Sequence, residues 1–442
     1  MSQTTSPRRP RVSPPTSPRA RSASPRVGRW AALAVVAAAA VGSAAGCAEK
    51  PIVDVVGPVR AIESPGFARL WATSLQLEPK DEVAFTFVRG DWLFVYSKLG
   101  KVYAMRRADG QPVFATAVPG GTYRLFPPLV LKNQIVFPTT NTLEIYSYAG
   151  VHQRSLDVGA AIRAECVGDR SDVFVPVDSP GVGALIKRYD LSRPEINVPI
   201  WQLQAWAGGI ASSPALQAEI VYMAADVGTV YAVAGENREP IWPLPGNTFD
   251  ARSRVVAPLR ADDVGLYVST VEGKLYCLNR TSGVVKWQYF AGGPLEAGPV
   301  VLADTVYVPD PARGWSAVDK VENPDVKTPQ YNRAARWSNK DVAQIISQDD
   351  KYTYVRTADN HLAALDKRTG AVRFRSDRSD FNAFATNPKD ATVYTAGRAG
   401  RVVAVRAVLQ PGATGEVVML DQDRAPEAVV ADAVPSASVG VR

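Results

Sequence analysis

Between about residues 67 and 409 the chain is built from short runs in which apolar and polar positions alternate, and long stretches of helical periodicity are scarce. One run, KLYCLNRTSGVVKW (274–287), carries a thiol, hydroxyls, a cation and a flexible glycine, and resembles an enzyme loop. It is not unique. KVYAMRRADGQPVF (101–114), TVYAVAGENREPIW (229–242) and HLAALDKRTGAVRF (361–374) follow the same plan. Each predicts a strand, a polar or glycine turn, and a second strand ending in a large aromatic. EIYSYAGVHQRSL, LIKRYDLSRPEINVPIW, WSAVDKVENPDVKTPQYNRAARW and VVAVRAVLQPG are weaker copies.

The residue after the tyrosine-like position marks each unit: Ala104, Ser147, Arg188, Ala232, Cys277, Ala317, Ala364 and Ala404. The steps between them are 43, 41, 44, 45, 40, 47 and 40 residues. A period near forty, made of four short strands, predicts a β-propeller. The fifth unit shows the two earlier strands as RVVAPLRADD and GLYVSTVEG. Proline opens the first strand of several units (Pro128, Pro214, Pro258, Pro299), where its missing N–H is tolerated. The eighth copy stops after RVVAVRAV without its aromatic strand, whereas ARLWATSL (68–75) is such a strand with no predecessor. Joining the two predicts an all-β fold: an eight-bladed β-propeller with four-stranded blades over residues 67–409, closed by an N-terminal strand that completes the last blade. Seven blades is the competing count.

The spacing A-x-D-x-x-x-G-x-x-x-W runs through Ala364, Asp366, Gly370 and Phe374, through Cys277, Asn279, Gly283 and Trp287, and through Ala104, Arg106, Gly110 and Phe114. It resembles the tryptophan-docking repeat of PQQ-type, or quinoprotein-like, eight-bladed propellers. In this reading the small residue leaves room, the glycine makes the turn and the aromatic wedges between blades. Trp71, Phe114, Trp201, Trp242, Trp287, Trp337 and Phe374 are the expected docking aromatics. A tryptophan buries roughly 150–250 Å², worth about 4–6 kcal/mol as an upper figure. Trp92 and Trp206 fall outside that register and are candidates for a partner surface.

Charge and the N-terminal composition place the protein. Residues 1–46 hold seven arginines and no lysine or acid, and the remainder carries 43 basic and 43 acidic residues. The sequence pI near 9.2 therefore comes from one tail, and nucleic-acid binding by the folded body is not expected. The Pro-, Ser- and Arg-rich stretch to Arg29 precedes a short apolar run and a small-residue exit, the pattern of a signal peptide. Ala44-Ala45-Gly46-Cys47 resembles a bacterial lipobox, with Ala44 where leucine is usual. Cys47 is thus the expected lipidation site; an uncleaved anchor, or cleavage that frees a soluble exported protein, stays open. By analogy with that family, Ala48 after the cysteine implies the outer membrane, facing the periplasm. Residues 47–66 would form a tether and 410–442 a C-terminal tail. Cys166 and Cys277 fit strand positions as buried free thiols, although an exported protein could pair them.

The quinoprotein resemblance brings catalysis into view. Enzymes of that group imply a calcium held by acidic and amide side chains, an Asp base, a tryptophan floor and often adjacent cysteines. Here there is no Cys-Cys pair, and blades of 40–47 residues leave little room for pocket-building insertions. His152 and His361, the two histidines, stand apart from other motif residues. No nucleophile elbow, zinc-protease motif, P-loop or EF-hand loop occurs. No catalytic, cofactor-binding or metal-binding residue is assigned, and no cofactor is expected. The order of lipobox, short tether and eight blades resembles the lipoprotein of the outer-membrane β-barrel assembly machinery, the BamB family. That resemblance implies a non-catalytic scaffold binding other envelope proteins of that machinery, with a lipid anchor to the membrane. A PQQ- and calcium-dependent oxidoreductase, or a propeller binding a small ligand or polysaccharide, are the alternatives.

Overall fold

In the computed structural model the described residues are 66–407, apart from 122–123, 180–181, 206–207, 244, 322–330 and 377–380. They form eight antiparallel sheets arranged as a propeller ring. Blade one is typical, with strands Val83–Arg89, Trp92–Ser97, Lys101–Arg106 and Pro112–Ala117 in sequential order from the axis outward. Consecutive strands joined by tight turns need only short links, which is why one blade fits in about forty residues.

Blade eight is assembled from both ends of the described chain. Its inner strands are Phe381–Ala385, Val393–Gly397 and Arg401–Ala407, and its outer strand is Phe67–Ser74. The outer strand pairs antiparallel with Arg401–Ala407, Phe67 opposite Ala407 and Ser74 opposite Arg401. The closure expected from ARLWATSL is therefore the closure observed. It covers an edge that would otherwise offer unpaired N–H and C=O groups.

The core is distributed around the ring. Among the described residues eight apolar clusters occur, and each draws on two neighbouring blades. One joins Val83, Leu93, Val95 and Met105 of blade one to Ala385, Tyr394, Val402 and Ala404 of blade eight. Another joins Leu143 and Ile145 of blade two to Val173, Val175 and Leu185 of blade three. Every blade is apolar on both faces, so no blade is complete without its neighbours. This is why strands here read as nearly continuous hydrophobic runs, such as Trp92–Ser97, rather than as strict alternation.

Blades three and five hold five strands, in blade three because its inner edge is split into Ala161–Ile162 and Val167–Asp169, both paired with Asp172–Ser179. Blade five, with strands Arg260–Ala261, Leu266–Ser269, Lys274–Leu278 and Val285–Phe290, gains a fifth outer strand, Asn332–Arg333, running parallel to Val285–Phe290. That strand belongs to the long connection that delays Trp337 in blade six, so the insertion caps the exposed edge of the preceding blade. Blade four has strands Ala215–Gln217, Ile220–Ala224, Thr229–Ala234 and only Thr248–Asp250 outermost.

Candidate functional site: the blade joints and the central channel

The joints repeat one geometry. In the third strand of a blade the small residue lies directly opposite an aromatic on each side. Tyr267, Cys277 and Trp287 pair in this way in blade five, Tyr307, Ala317 and Trp337 in blade six, and Tyr394, Ala404 and Trp71 in blade eight. The two rings close over the small side chain, with centroids 6.0 Å apart for Tyr267 and Trp287 and 5.8 Å for Tyr307 and Trp337. Such tilted pairs add about 0.5–1.5 kcal/mol beyond area burial. The inner aromatics Phe94, Tyr222, Tyr267, Tyr307, Tyr354 and Tyr394 are missed by the docking spacing. Their signal is nonetheless in the chain, since each lies ten residues before its small residue.

Each indole also reaches the next blade. Trp71 Nε1 donates to Arg107 O at 3.1 Å, Trp201 to Gly235 O at 3.0 Å, Trp242 to Arg280 O at 2.7 Å, Trp287 to Lys320 O at 2.9 Å and Trp337 to Lys367 O at 2.9 Å. The accepting carbonyls lie at the turns that follow third strands. Trp242 does so from the loop before Thr248–Asp250, with Ile241 N bonded to Ala232 O at 2.9 Å. Phe114 and Phe374 lack a donor and instead pack against Gly150 and Gly66 of the following joint.

The polar residues of the repeat are turn chemistry. Asn279 Oδ1 accepts from Thr281 N at 3.0 Å, Thr281 Oγ1 at 3.0 Å and Ser282 N at 3.1 Å. Asp366 Oδ1 does the same for Arg368 N, Thr369 N and Thr369 Oγ1. An Asn or Asp side chain that folds back on its own backbone defines this turn. The Thr281 hydroxyl is thereby accounted for, Ser282 Oγ accepts from Val284 N at 3.4 Å, and Cys277 is a buried free thiol, as is Cys166.

Blade two breaks the pattern. Its third strand, Thr142–Tyr146, pairs Ile145 with Val136 on one side and Arg154 on the other. Ile145, rather than Ser147, occupies the small-residue place, and a guanidinium replaces the indole. Arg154 Nη1 donates to Pro194 O at 2.7 Å and Asn197 Oδ1 at 2.9 Å in the turn of blade three. The joint keeps its donor but loses its wedge.

His152 is less isolated than the sequence implies. Its Nε2 lies 2.9 Å from Oε2 of the buried Glu144, which also accepts from Ser155 Oγ at 2.6 Å. Ser155 Oγ lies 3.4 Å from the same Nε2. A serine relay needs the two ring nitrogens to face serine and acid separately; here one nitrogen faces both. His361 Nδ1 lies 2.7 Å from Ser376 O and its Nε2 3.6 Å from Asp359. Both histidines hold strands and turns together. Among the described residues no group of three His, Cys, Asp or Glu side chains is placed to hold a metal ion.

The innermost strands line a central channel. A lower cavity of about 930 Å³ and an upper cavity of about 430 Å³ make it up, and Arg89, Glu165, Arg260 and Thr386 border both. Phe85, Phe87 and Phe384 line the upper cavity. At the rim of the ring, Trp92 is half-buried, stacks on Phe94 at 6.0 Å and meets Tyr148 of blade two at 5.6 Å. Trp206, Cys47, the leader, the tether up to residue 65 and the tail lie outside the described residues.

Comparison with known proteins agrees with this geometry. The family described as outer membrane protein assembly factor BamB matches residues 228–323 and 332–423. Those two stretches run from the third strand of blade four through blade eight. BamB from Moraxella catarrhalis is similar at 16% identity and TM-score 0.56, covering 77% of this chain and 97% of its own. The computationally designed Ika8 protein is similar at 14% identity and TM-score 0.55, covering 76% and 98%. No curated protein matches the chain. The chain is an eight-bladed β-propeller that resembles the PQQ-type propellers of the BamB family.

Proposed function

We propose that this protein is a non-catalytic, membrane-tethered scaffold of the bacterial cell envelope that binds other envelope proteins during outer-membrane β-barrel assembly. The observation that carries the reading is the match of residues 228–323 and 332–423 to the BamB family within a ring of eight blades. The anchor is Cys47, lipidated after removal of the leader, and the protein faces the periplasm. The joints support a scaffold role, because wedged aromatics and interblade hydrogen bonds make a stiff disc whose loops are free to vary. Trp92, resting across the joint of blades one and two, and Trp206 are the partner-facing aromatics. Fold alone does not assign a partner, so the test is direct. A photo-crosslinker placed at Trp92 in the native envelope should capture outer-membrane assembly proteins, and Cys47→Ser should release the protein from the membrane. Capture of cytosolic proteins alone, or dye reduction after reconstitution with PQQ and calcium, would refute the scaffold.

A further inference from the structure

Where the two cavities of the channel meet, the lining holds charges that make no ion pair among the described residues. Arg89 ends the inner strand of blade one, Arg260 begins that of blade five, and Glu165 comes from blade three. All three border both cavities. Each guanidinium makes one hydrogen bond among the described residues, to a carbonyl of its immediate chain neighbour: Arg89 to Val88 O and Arg260 to Leu259 O, both at 3.1 Å. Neither lies within ion-pair distance of Glu165 or of another described carboxylate. The groups nonetheless feel one another. Burial pulls the Arg89 guanidinium below its ordinary value, Glu165 opposes that pull and Arg260 adds to it.

The other acids of the lower cavity have partners. Asp262 pairs with Lys320 at 2.6 Å, Glu219 pairs with Arg170 at 2.7 Å, and Asp169 caps its own turn through Arg170 N at 2.8 Å. Asp169 keeps its negative charge but borders only the lower cavity; at the upper cavity, whose lining holds no other charged group, two guanidinium forks face one carboxylate, a surplus of one positive charge there. Beside them lies an apolar wall. Phe85 is 62% exposed although it belongs to an inner strand. It stacks on Phe87 at 6.3 Å, and the Arg89 guanidinium lies 5.7 Å from the Phe87 ring. An apolar pocket with a few convergent polar groups is the usual form of a small-ligand site.

We propose that the channel binds a small organic monoanion, a carboxylate with an aromatic or apolar body, whose charge lies between Arg89 and Arg260 and whose body covers Phe85 and Phe87. Guanidinium groups grip carboxylates through paired hydrogen bonds, and an aromatic wall selects against a bare anion. The site is independent of envelope partners, so its failure would leave the scaffold reading intact.

The test is titration calorimetry of the purified full-length chain with phenylacetate, phenylacetamide and acetate. Phenylacetate should bind, and the neutral amide and the bare acetate should each bind at least about tenfold more weakly, since every factor of ten is about 1.4 kcal/mol. Arg260→Gln and Arg89→Gln should each weaken phenylacetate about tenfold, within the range for charge-assisted hydrogen bonds. Glu165→Gln should tighten it, a sign that loss of structure would not produce. Unchanged urea midpoints serve as the folding control. Absence of phenylacetate binding, equal binding of phenylacetamide, or affinity indifferent to both arginine changes would overturn the proposal.

Discussion

Trp71 lies directly opposite Ala404, joining the first described strand to the last, and its indole N–H reaches onward to Arg107 O of blade one at 3.1 Å. One side chain thus completes blade eight and ties it to its neighbour. A ring has no free end only if this contact forms, so the segment around Trp71 is where the fold should be most sensitive to truncation.

Removal of residues 67–74 should leave the Arg401–Ala407 strand with an unpaired edge. Such edges recruit other chains. Light scattering should then show concentration-dependent association, and a FARLWATS peptide should reverse it. A truncated protein that stays monomeric and equally stable would contradict the closure argument.

Two glycines with similar backbone angles separate backbone strain from crowding. Gly110 has φ +69° and a Cβ there would lie 2.3 Å from the Trp71 ring, whereas Gly90 has φ +58° and nothing within 4 Å. Gly90→Ala should cost about 1–2 kcal/mol, the left-handed penalty alone. Gly110→Ala should cost about 2–5 kcal/mol, because overpacking adds about 1–3. Urea unfolding of the two variants measures the difference.

Trp287 allows wedge and hydrogen bond to be told apart. Trp287→Phe keeps a ring over Cys277 but loses the bond to Lys320 O, and should cost about 1–2 kcal/mol. Trp287→Ala loses the wedge as well and should cost about 3–5 kcal/mol. Equal losses in chemical denaturation would show that the ring itself carries little.

Asp304 gives a pH dependence with a definite sign. Burial acts to raise its carboxyl, but hydrogen bonds from Lys367, Thr305 and Gln348 outweigh that and hold it below the ordinary value. Lys367 and Gln348 belong to blade seven, so this acid clamps a joint, with Lys367 Nζ at 2.8 Å. A carboxyl depressed in the folded state stabilises above its unfolded pKa of about 4, and the gain disappears as pH falls through the lower folded value. Asp304→Asn should therefore be less stable than the parent at about pH 7 and converge with it in acid. A gap that is constant with pH would refute the assignment.

The two described thiols should be silent in the native state. Burial pushes Cys277 up to about 12 and raises Cys166 further. A thiol-reactive dye at about pH 8 should label neither position until denaturant is added, because the thiolate is the reactive form. Fast native labelling of Cys277 would mean that the joint of blades five and six opens readily.

The repeat is legible because most blades solve the same local problem with the same residue types, blade two with Ile145 and Arg154 and blade three with Arg188 being the departures. A small residue, an Asn or Asp turn and an aromatic recur at a fixed spacing, and the orphan strand at 68–75 discloses closure without any view of the ring. Ser147 marks the wrong position because Tyr146 follows the small-residue place of blade two, whereas Tyr103 and Tyr276 precede theirs; the β-bulge after that place is common to blades one, two, five and seven. Arg154 is silent in the sequence, since nothing along the chain announces that a guanidinium stands in for an indole. The inner aromatics escape for a plainer reason: they stand on the second strand, before the docking spacing begins.

Local sequence determined strands, turns, blade count and the means of closure, since these depend on periodicity and on residues within about forty positions. The channel was decided only by tertiary structure. Arg89, Glu165 and Arg260 sit in blades one, three and five with no shared motif, and only the closing of the ring brings their charges to one axis. Exposure of Phe85 has the same origin, because a strand's inner edge becomes a wall only when seven other blades complete the circle.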